Sequence, residues 1–366
     1  MANLFIGVMS GTSLDGIDVA LCTFEDASCQ LISTQFMPYP ADIKVALLAL
    51  HAPSENELET SILLGNQLAR LYAEAVNKLL TAAKKTANDI TAIGCHGQTI
   101  RHCPNFGPGL GFTLQIGNAA LLAELTGISV VNDFRSRDIA AGGQGAPLVP
   151  AFHQAIFGNP HKNRAIVNIG GIANVTVLAK SGDVLGFDTG PGNMLLDSWT
   201  KLRLGKDYDA NGAWAATGVV LNTLLSNMLA EPYFMLPPPK STGRDLFNDH
   251  WLKQHLLYPH LRSEDVARTL VELTARTIYD AIALIDIDEV YLCGGGAHNA
   301  LLVASLKELL GDRLLATTDV VGVGVDWVEA VAFAWLAKQT IDNKPSNLPA
   351  VTGAKGLRIL GAIYPA

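Results

Sequence analysis

Little in this sequence invites a covalent or metal-stapled framework. Five cysteines, at 22, 29, 95, 103 and 293, are spread over 366 residues, and none forms a CxxC pair. One would be left over if the rest paired, so reduced thiols are expected. Charge of one sign is also scarce: 26 Lys and Arg stand against 34 Asp and Glu, a formal net charge of −8. That balance argues against a general binder of nucleic acid or anionic membrane and leaves room for a local phosphate site. Long apolar runs are missing too. The N-terminal one stops at Ser10 and Gly11 with no basic segment before it, and the C-terminal one, 320–337, carries Asp326 and Glu329. Neither a signal peptide nor a membrane span is expected, which implies a cytoplasmic protein. Finally, no P-loop occurs, and no GxGxxG opens a helix after a strand, so neither P-loop nor Rossmann nucleotide chemistry is indicated.

What is present is material for large cores. Hydrophobic residues make up 49% of the chain and charged ones 16%, and at roughly 150 residues per domain two compact domains are expected. The first element reads as a strand over Leu4–Val8, a glycine-bearing turn Ser10–Gly16, and a strand over Ile17–Phe24. Leucines and alanines at three- and four-residue spacing predict a helix over 54–84. Ile90–Cys95 reads as a strand ending at His96-Gly97-Gln98, Ala119–Leu125 as a helix, and Ile128–Asn132 as a strand ending at Asp133. Alternating strands and helices indicate an α/β domain. The glycine-rich run 140–147 is the best boundary, dividing the chain into 1–145 and 146–366.

The second half opens as the first did. A strand over Arg164–Asn168, a turn through Gly170 and Gly171, and a strand over Val175–Ala179 repeat the opening unit about 160 residues later. A hairpin turn at 181–183 leads to a strand over 184–187 that ends at Asp188. Helices are predicted over 265–285, 299–310 and 326–338, with a strand over 289–293 and the triplet Gly294-Gly295-Gly296 between them. The reading is of two related α/β halves facing one another across a cleft, with the last helix and tail packing back near it.

Three glycine turns at strand ends are candidate anion nests, because successive backbone N–H groups can approach a phosphate where no Cβ intervenes. Turns at Gly11–Gly16 and Gly170–Gly171 would offer amides, and Ser10, Thr12 and Ser13 hydroxyls, to phosphates from two sides. The third, Gly294–Gly296, would let a flat ring lie against the backbone. Among the side chains, Asp188 either caps its turn or acts as a base, and Arg135 either pairs with Asp133 or binds a planar anion. His96 and Thr99 are structural residues or sugar contacts. Cys95 and His96 point to opposite sides of an extended chain, which excludes a thiolate pair. Glu329 sits among apolar helix residues, where it needs a partner or a cleft, or serves the helix dipole with Asp326. Five tryptophans, at 199, 214, 251, 327 and 335, read as packing residues, and Lys240–Arg244 as a loop over the cleft.

The order of two phosphate turns followed by an adenosine turn resembles the actin/hexokinase/Hsp70 ATPase superfamily. The strings Gly7–Asp18, Cys95–Thr99, Val131–Arg135, Gly142–Pro150, Asn168–Asn174, Gly186–Asn193, Cys293–Asn299 and Val351–Ala354 resemble one branch of it, the anhydro-N-acetylmuramic acid kinases, over nearly the whole chain. The resemblance implies two actin-like, ribonuclease H-like domains with mixed sheets. It implies ATP with Mg2+, a sugar substrate, and a homodimer. For the residues it implies nucleotide contacts from Gly11, Thr12, Ser13, Leu14, Asp15, Gly16, Ile17, Asp18, Asn168, Gly170, Gly171, Gly294, Gly295 and Gly296. Sugar contacts fall to His96, Thr99, Arg135 and Glu329, and the base role to Asp188. The superfamily usually ends its first strand in a metal-directed Asp. Here Met9 and Ser10 stand there, so Asp15 and Asp18 are the candidates for Mg2+, through water. The implied reaction is phosphorylation at O6 of 1,6-anhydro-N-acetylmuramic acid with opening of the anhydro bridge by water. An ordinary hexose kinase, with Asp188 deprotonating a free hydroxyl, and a protein-binding ATPase switch are the competing readings.

Overall fold

The computed structural model describes residues 3–366 apart from 12, 26, 108, 110 and 257–259. The chain divides into two compact units, 1–156 together with 327–366, and 157–326.

In the first unit β1 (Leu4–Met9), β2 (Gly16–Glu25) and β3 (Ser28–Pro38) run antiparallel in sequence. α1 (Ala41–Ala49) and α2 (Glu57–Ala83) follow, then β4 (Ile90–Cys95), which pairs parallel to β1. A two-stranded hairpin, β5 (Gln98–Cys103) with β6 (Phe112–Ile116), precedes α3 (Ala119–Thr126), β7 (Val130–Asn132), α4 (Ser136–Ala140) and α5 (Val149–Phe157). The helix expected over 54–84 forms because α2 buries Leu64, Leu68, Tyr72, Val76 and Leu79 on one face. Glu57 and Glu59 in its first turn suit the positive end of the helix dipole.

The second unit repeats the pattern. β8 (Arg164–Ile169), β9 (Ile172–Leu178) and β10 (Val184–Pro191) form an antiparallel meander. α6 (Met194–Leu204), α7 (Asn222–Leu229), α8 (Asp249–His255) and α9 (Ser263–Ala283) come next. β11 (Glu289–Cys293) pairs parallel to β8, and α10 (Ala300–Leu310) leads to β12 (Leu314–Thr317), parallel to β11. Phe187, Trp199, Phe247, Trp251, Leu270 and Ile278 are among its core residues. Trp199, Trp251 and Trp335 are all buried, as packing residues should be. The sheet order is β10-β9-β8-β11-β12, and that of the first unit is β3-β2-β1-β4-β7 with β13 (Ala362–Tyr364) added beside β7. The duplication suggested by two glycine turns is thus a repeat of a whole five-stranded sheet, each with three antiparallel strands followed by two parallel ones.

The division differs from the expected boundary at 145/146: residues 146–156 and 327–366 belong with the first unit. The reason lies in α11 (Val328–Ile341), which precedes α12 (Pro349–Thr352) and is buried along most of its length. It lies against two strand glycines so closely that a Cβ on Gly7 would fall 1.7 Å from the Ala330 carbonyl oxygen, and one on Gly94 2.0 Å from that of Phe333. Ala330, Ala334 and Ala337 give the matching shallow helix surface. The tail adds hydrogen bonds: Thr352 Oγ1 and Asn347 Nδ2 donate at 2.8 Å to the fully buried Asp138.

Candidate active site

In the first unit the turn after β1 is shorter than expected. Gly16, Ile17 and Asp18 already lie in β2, with Met9 opposite Asp18 and Gly16 opposite Pro38. A Cβ on Gly16 would fall 2.4 Å from the Met37 carbonyl, so this glycine serves the packing of β2 on β3. Leu14, at φ +59°, and Ile17 bury their side chains in the core. The open positions are Gly11, Ser13 and Asp15, and Asp15 pairs with Lys44 at 3.6 Å. Thr12 lies outside the described residues.

Ser10 departs from expectation. Its hydroxyl is 1% exposed and faces inward, 2.9 Å from Tyr72 Oη and 3.1 Å from the Gly97 carbonyl that accepts its proton. Gln98 Nε2 donates to the Gly11 carbonyl at 3.1 Å, and Tyr39 Oη donates to Gln98 Oε1 at 3.4 Å. The hydroxyl expected to meet phosphate instead braces the turn against the end of β4, because a buried polar group must find a partner in the protein.

Beside that brace, the structure gathers three of the four residues assigned to the sugar. Arg135 donates to His96 Nε2 from Nη2 at 2.9 Å and from Nε at 3.2 Å, and to the Gly145 carbonyl from Nη1 at 2.8 Å. An imidazole nitrogen that accepts from a guanidinium carries no proton, so His96 is neutral with its proton on Nδ1. Burial, and then the Arg135 charge, push it down to about 3. That Nδ1 is buried without a hydrogen-bond partner, the Ser10 and Gly97 carbonyls lying within electrostatic reach. Glu329, from the first turn of α11, is the charge that offsets Arg135. Burial raises the carboxyl and Arg135 lowers it, while burial takes the guanidinium to about 10 against the pull of Glu329. Neither the Asp133 pairing nor a helix-dipole role is needed to explain these two residues. Thr99 stands apart, its hydroxyl accepting from Gln115 Nε2 at 3.2 Å. Cys95 is fully buried with its thiol pushed up to about 12, which removes it as a nucleophile.

In the second unit β8, β10 and β11 end together. Gly192 and Asn193 donate backbone N–H groups to the carbonyls of Gly171 at 2.9 Å and Gly170 at 2.8 Å. Asn193 Nδ2 donates to the Ile169 carbonyl at 3.1 Å. The glycines divide by what stands over them. A Cβ on Gly294 would fall 2.3 Å from Asn168 Oδ1 and one on Gly296 2.2 Å from Ile169 Cγ2, so both are needed for this close approach. Gly170, Gly171 and Gly295 have nothing nearer than 3.5 Å over them and present open backbone. Asn193, which the sequence showed only as the end of the string Gly186–Asn193 and gave no role, holds the assembly, and Asn299 caps α10 by accepting from Leu302 N–H.

Asp188 lies inside β10 rather than at its end, opposite Asn174 and just before an irregularity of register at Gly190. That irregularity re-aims the strand, as bulges beside functional sites do. The carboxylate Oδ2 accepts from Thr242 N–H at 3.0 Å, and the Asp188 carbonyl accepts from Tyr233 Oη at 2.8 Å. Desolvation raises the carboxyl to about 6, opposed by the Thr242 amide. Such a group is ionised at neutral pH yet basic enough to take a proton there.

A sheet order repeated in two units, with a glycine turn after the first strand of each, defines a protein of the actin/hexokinase/Hsp70 ATPase fold. The family model of anhydro-N-acetylmuramic acid kinase matches residues 3–366, and the chain belongs to that family. It is 55% identical to the anhydro-N-acetylmuramic acid kinase of Nitrosomonas europaea, covering 99% of each chain. It is 55% identical to that of Nitrosospira multiformis over 100% of both, and 50% identical to that of Pseudomonas fluorescens over 99% of both. Among solved structures it is similar to component A of the (R)-2-hydroxyglutaryl-CoA dehydratase of Acidaminococcus fermentans, with TM-score 0.49, 11% identity and coverage of 91% and 96%.

Proposed function

We propose that this chain transfers the γ-phosphoryl group of ATP to O6 of 1,6-anhydro-N-acetylmuramic acid while water opens the anhydro bridge, giving N-acetylmuramic acid 6-phosphate and ADP. Family membership supports the substrate. The observation that carries the mechanism is Asp188, a carboxylate held by one backbone amide and raised by burial to about 6.

Inverting glycoside cleavage needs a base for water and an acid for the leaving oxygen. In this reading Asp188 takes a proton from the water that attacks C1. The C1–O6 bond breaks with its electron pair on O6, and O6 attacks the γ-phosphorus instead of taking a proton, expelling ADP. A single carboxylate then suffices. The Gly170 and Gly171 amides, with those of the turn at Gly11, Thr12 and Ser13, are assigned to the phosphates, and the open Gly295 backbone to the adenosine. Asn168, Gly294 and Gly296 act behind them, and Leu14, Gly16 and Ile17 act through backbone only. His96, Arg135 and Glu329 are assigned to the sugar: the buried Nδ1–H of His96 makes no well-formed hydrogen bond, with only the Ser10 and Gly97 carbonyls in electrostatic reach, and Arg135 is a cation suited to the lactyl carboxylate. Thr99 completes that assignment.

Mg2+ accompanies the nucleotide in this proposal. No group of three or more His, Cys, Asp or Glu able to hold a metal occurs among the described residues. That fits an ion carried by phosphates and touched through water by one or two carboxylates, here Asp18 and Asp15. It would neutralise phosphate charge when bound. A homodimer, a cytoplasmic location and a place in peptidoglycan recycling complete the proposal. Among the described residues, no helix is long and apolar enough to cross a membrane.

Reaction in 18O-labelled water tests the chemistry. Label at the anomeric carbon of the phosphorylated sugar is expected. Unlabelled product would replace coupled hydrolysis with ordinary hydroxyl phosphorylation, and ATP turnover indifferent to every sugar would replace both with a nucleotide switch.

A further inference from the structure

The segment that holds Asp188 is itself held. Pro237, Pro238 and Pro239 stiffen the approach to it by fixing φ. Asp188 N–H donates to the Lys240 carbonyl at 3.1 Å, and Thr242 N–H donates to the Asp188 carboxylate at 3.0 Å. Lys240 then turns away from the carboxylate. Its ammonium donates to the carbonyls of Tyr233 at 3.2 Å and Phe234 at 3.1 Å, and lies 4.8 Å from the centroid of the Tyr233 ring. Those carbonyls belong to the 3-10 turn Pro232–Met235, whose own Tyr233 hydroxyl donates to the Asp188 carbonyl at 2.8 Å. The contacts close a ring: strand β10, segment 240–242, ammonium, 3-10 turn, and back to β10.

We propose that Lys240 is a positioning residue for Asp188, its ammonium pinning segment 240–242 to the Pro232–Met235 turn so that the Thr242 amide stays on the carboxylate. The proposal rests on the reading of Asp188 as the base. Two features favour it over a lysine kept for phosphate. The ammonium is partly buried and engaged with two carbonyls and a ring face, an arrangement that satisfies a cation within the protein. The Thr242 hydroxyl, on the residue that meets the carboxylate, is buried without a protein partner, the condition of a group kept for a ligand. Among the described residues, no charged side chain contributes to the shift of the Asp188 carboxyl. Asn174 faces it from β9, and α9 presents Thr274 and Thr277 to this part of β10. Tyr233 is the ionisable group in electrostatic reach, and burial holds its phenol well above the ordinary range.

The amide favours the ionised carboxylate, so freeing the segment must raise the pH at which Asp188 becomes a base. The test is the pH profile of kcat at saturating ATP and anhydro-sugar for Lys240→Met, Lys240→Arg and Tyr233→Phe. For Lys240→Met the acid limb is expected to move up by about one pH unit, a loss of roughly tenfold on that limb that shrinks above pH 8. The ATP KM is expected to stay within about twofold, and Lys240→Arg to recover most of the loss. Tyr233→Phe is expected to shift the limb in the same direction by less, and it decides the matter if Lys240→Met does not fold. A loss equal at every pH, or a raised ATP KM with unchanged kcat, overturns the positioning role. Asp188→Asn separates the two levels. Turnover surviving in that variant removes the base itself, whereas turnover lost there with an unmoved limb in Lys240→Met removes only the pin.

Discussion

Burial raises Asp188 to about 6 while the Thr242 amide draws it back, so at pH 7 the carboxylate is largely ionised in surroundings that favour its neutral form. A carboxyl whose folded pKa lies above its unfolded value adds stability below about pH 4, and that contribution is lost as pH rises through 6. Asp188→Asn keeps the acceptor for Thr242 N–H and removes the charge. Its turnover is expected to fall by about 10²–10⁴ with nucleotide affinity nearly unchanged. Its melting temperature should exceed the native value at pH 8, by an amount equivalent to about 1–2 kcal/mol, and match it near pH 4. Thermal melts at both pH values check this, and a variant no more stable at pH 8 would show the carboxylate to be well solvated. Glu329→Gln acts in the same direction: burial raises that carboxyl in spite of Arg135, so removing its charge should raise the urea midpoint at pH 8 more than at pH 4. At this scale the sequence showed Asp188, Arg135 and Glu329 as charges in settings that called for an explanation. It concealed Tyr233 and Thr242, whose bonds to Asp188 span 45 and 54 residues and run through a main-chain carbonyl and a main-chain amide.

The elements tell a similar story through their glycines. Gly94 is the last residue but one of β4, and a Cβ there would meet the Phe333 carbonyl at 2.0 Å. That atom is helix backbone, so α11 must shift as a body. Gly94→Ala is expected to destabilise by about 3 kcal/mol or more, seen as a lower urea midpoint with no direct effect on bound nucleotide. Gly170→Ala is the contrasting case, because its nearest neighbour would be the Ile172 carbonyl at 3.5 Å. Its melting temperature should hardly change while the ATP KM rises several-fold, since the added methyl fills the open face assigned to phosphate. Equal stability losses in both variants would refute this division of glycine roles. Strand and helix periodicity marked most elements to within a few residues, including β4 and β11 at their observed ends. It missed β3, an edge strand whose solvent-facing residues break the apolar pattern, and the hairpin of β5 and β6, which packs outside either main sheet.

For the molecule as a whole, the order of the chain and the order of folding units differ. Units were expected to be consecutive because the glycine-rich run 140–147 looks like a linker, yet its Gly143 and Gly145 pack against Asp138 and Ile139 inside the first unit. The second unit, 157–326, is inserted between the body of the first and its last 40 residues, 327–366. Nothing local announces such an insertion, since it depends on α11 finding β1 and β4 across more than 200 residues. A chain ended at Asp326 would leave the face of the first sheet that carries Phe5, Gly7, Ala92 and Gly94 with no α11 to cover it. Such a chain is expected to lose the cooperative unfolding of the first unit and to bind a hydrophobic dye. The segment 157–326 expressed by itself carries its own sheet and core and should melt cooperatively by far-UV circular dichroism. Supplying 327–366 as a separate peptide should restore protection from hydrogen exchange in β1 and β4. If the shortened chain keeps both transitions, α11 merely covers a first unit that folds without it.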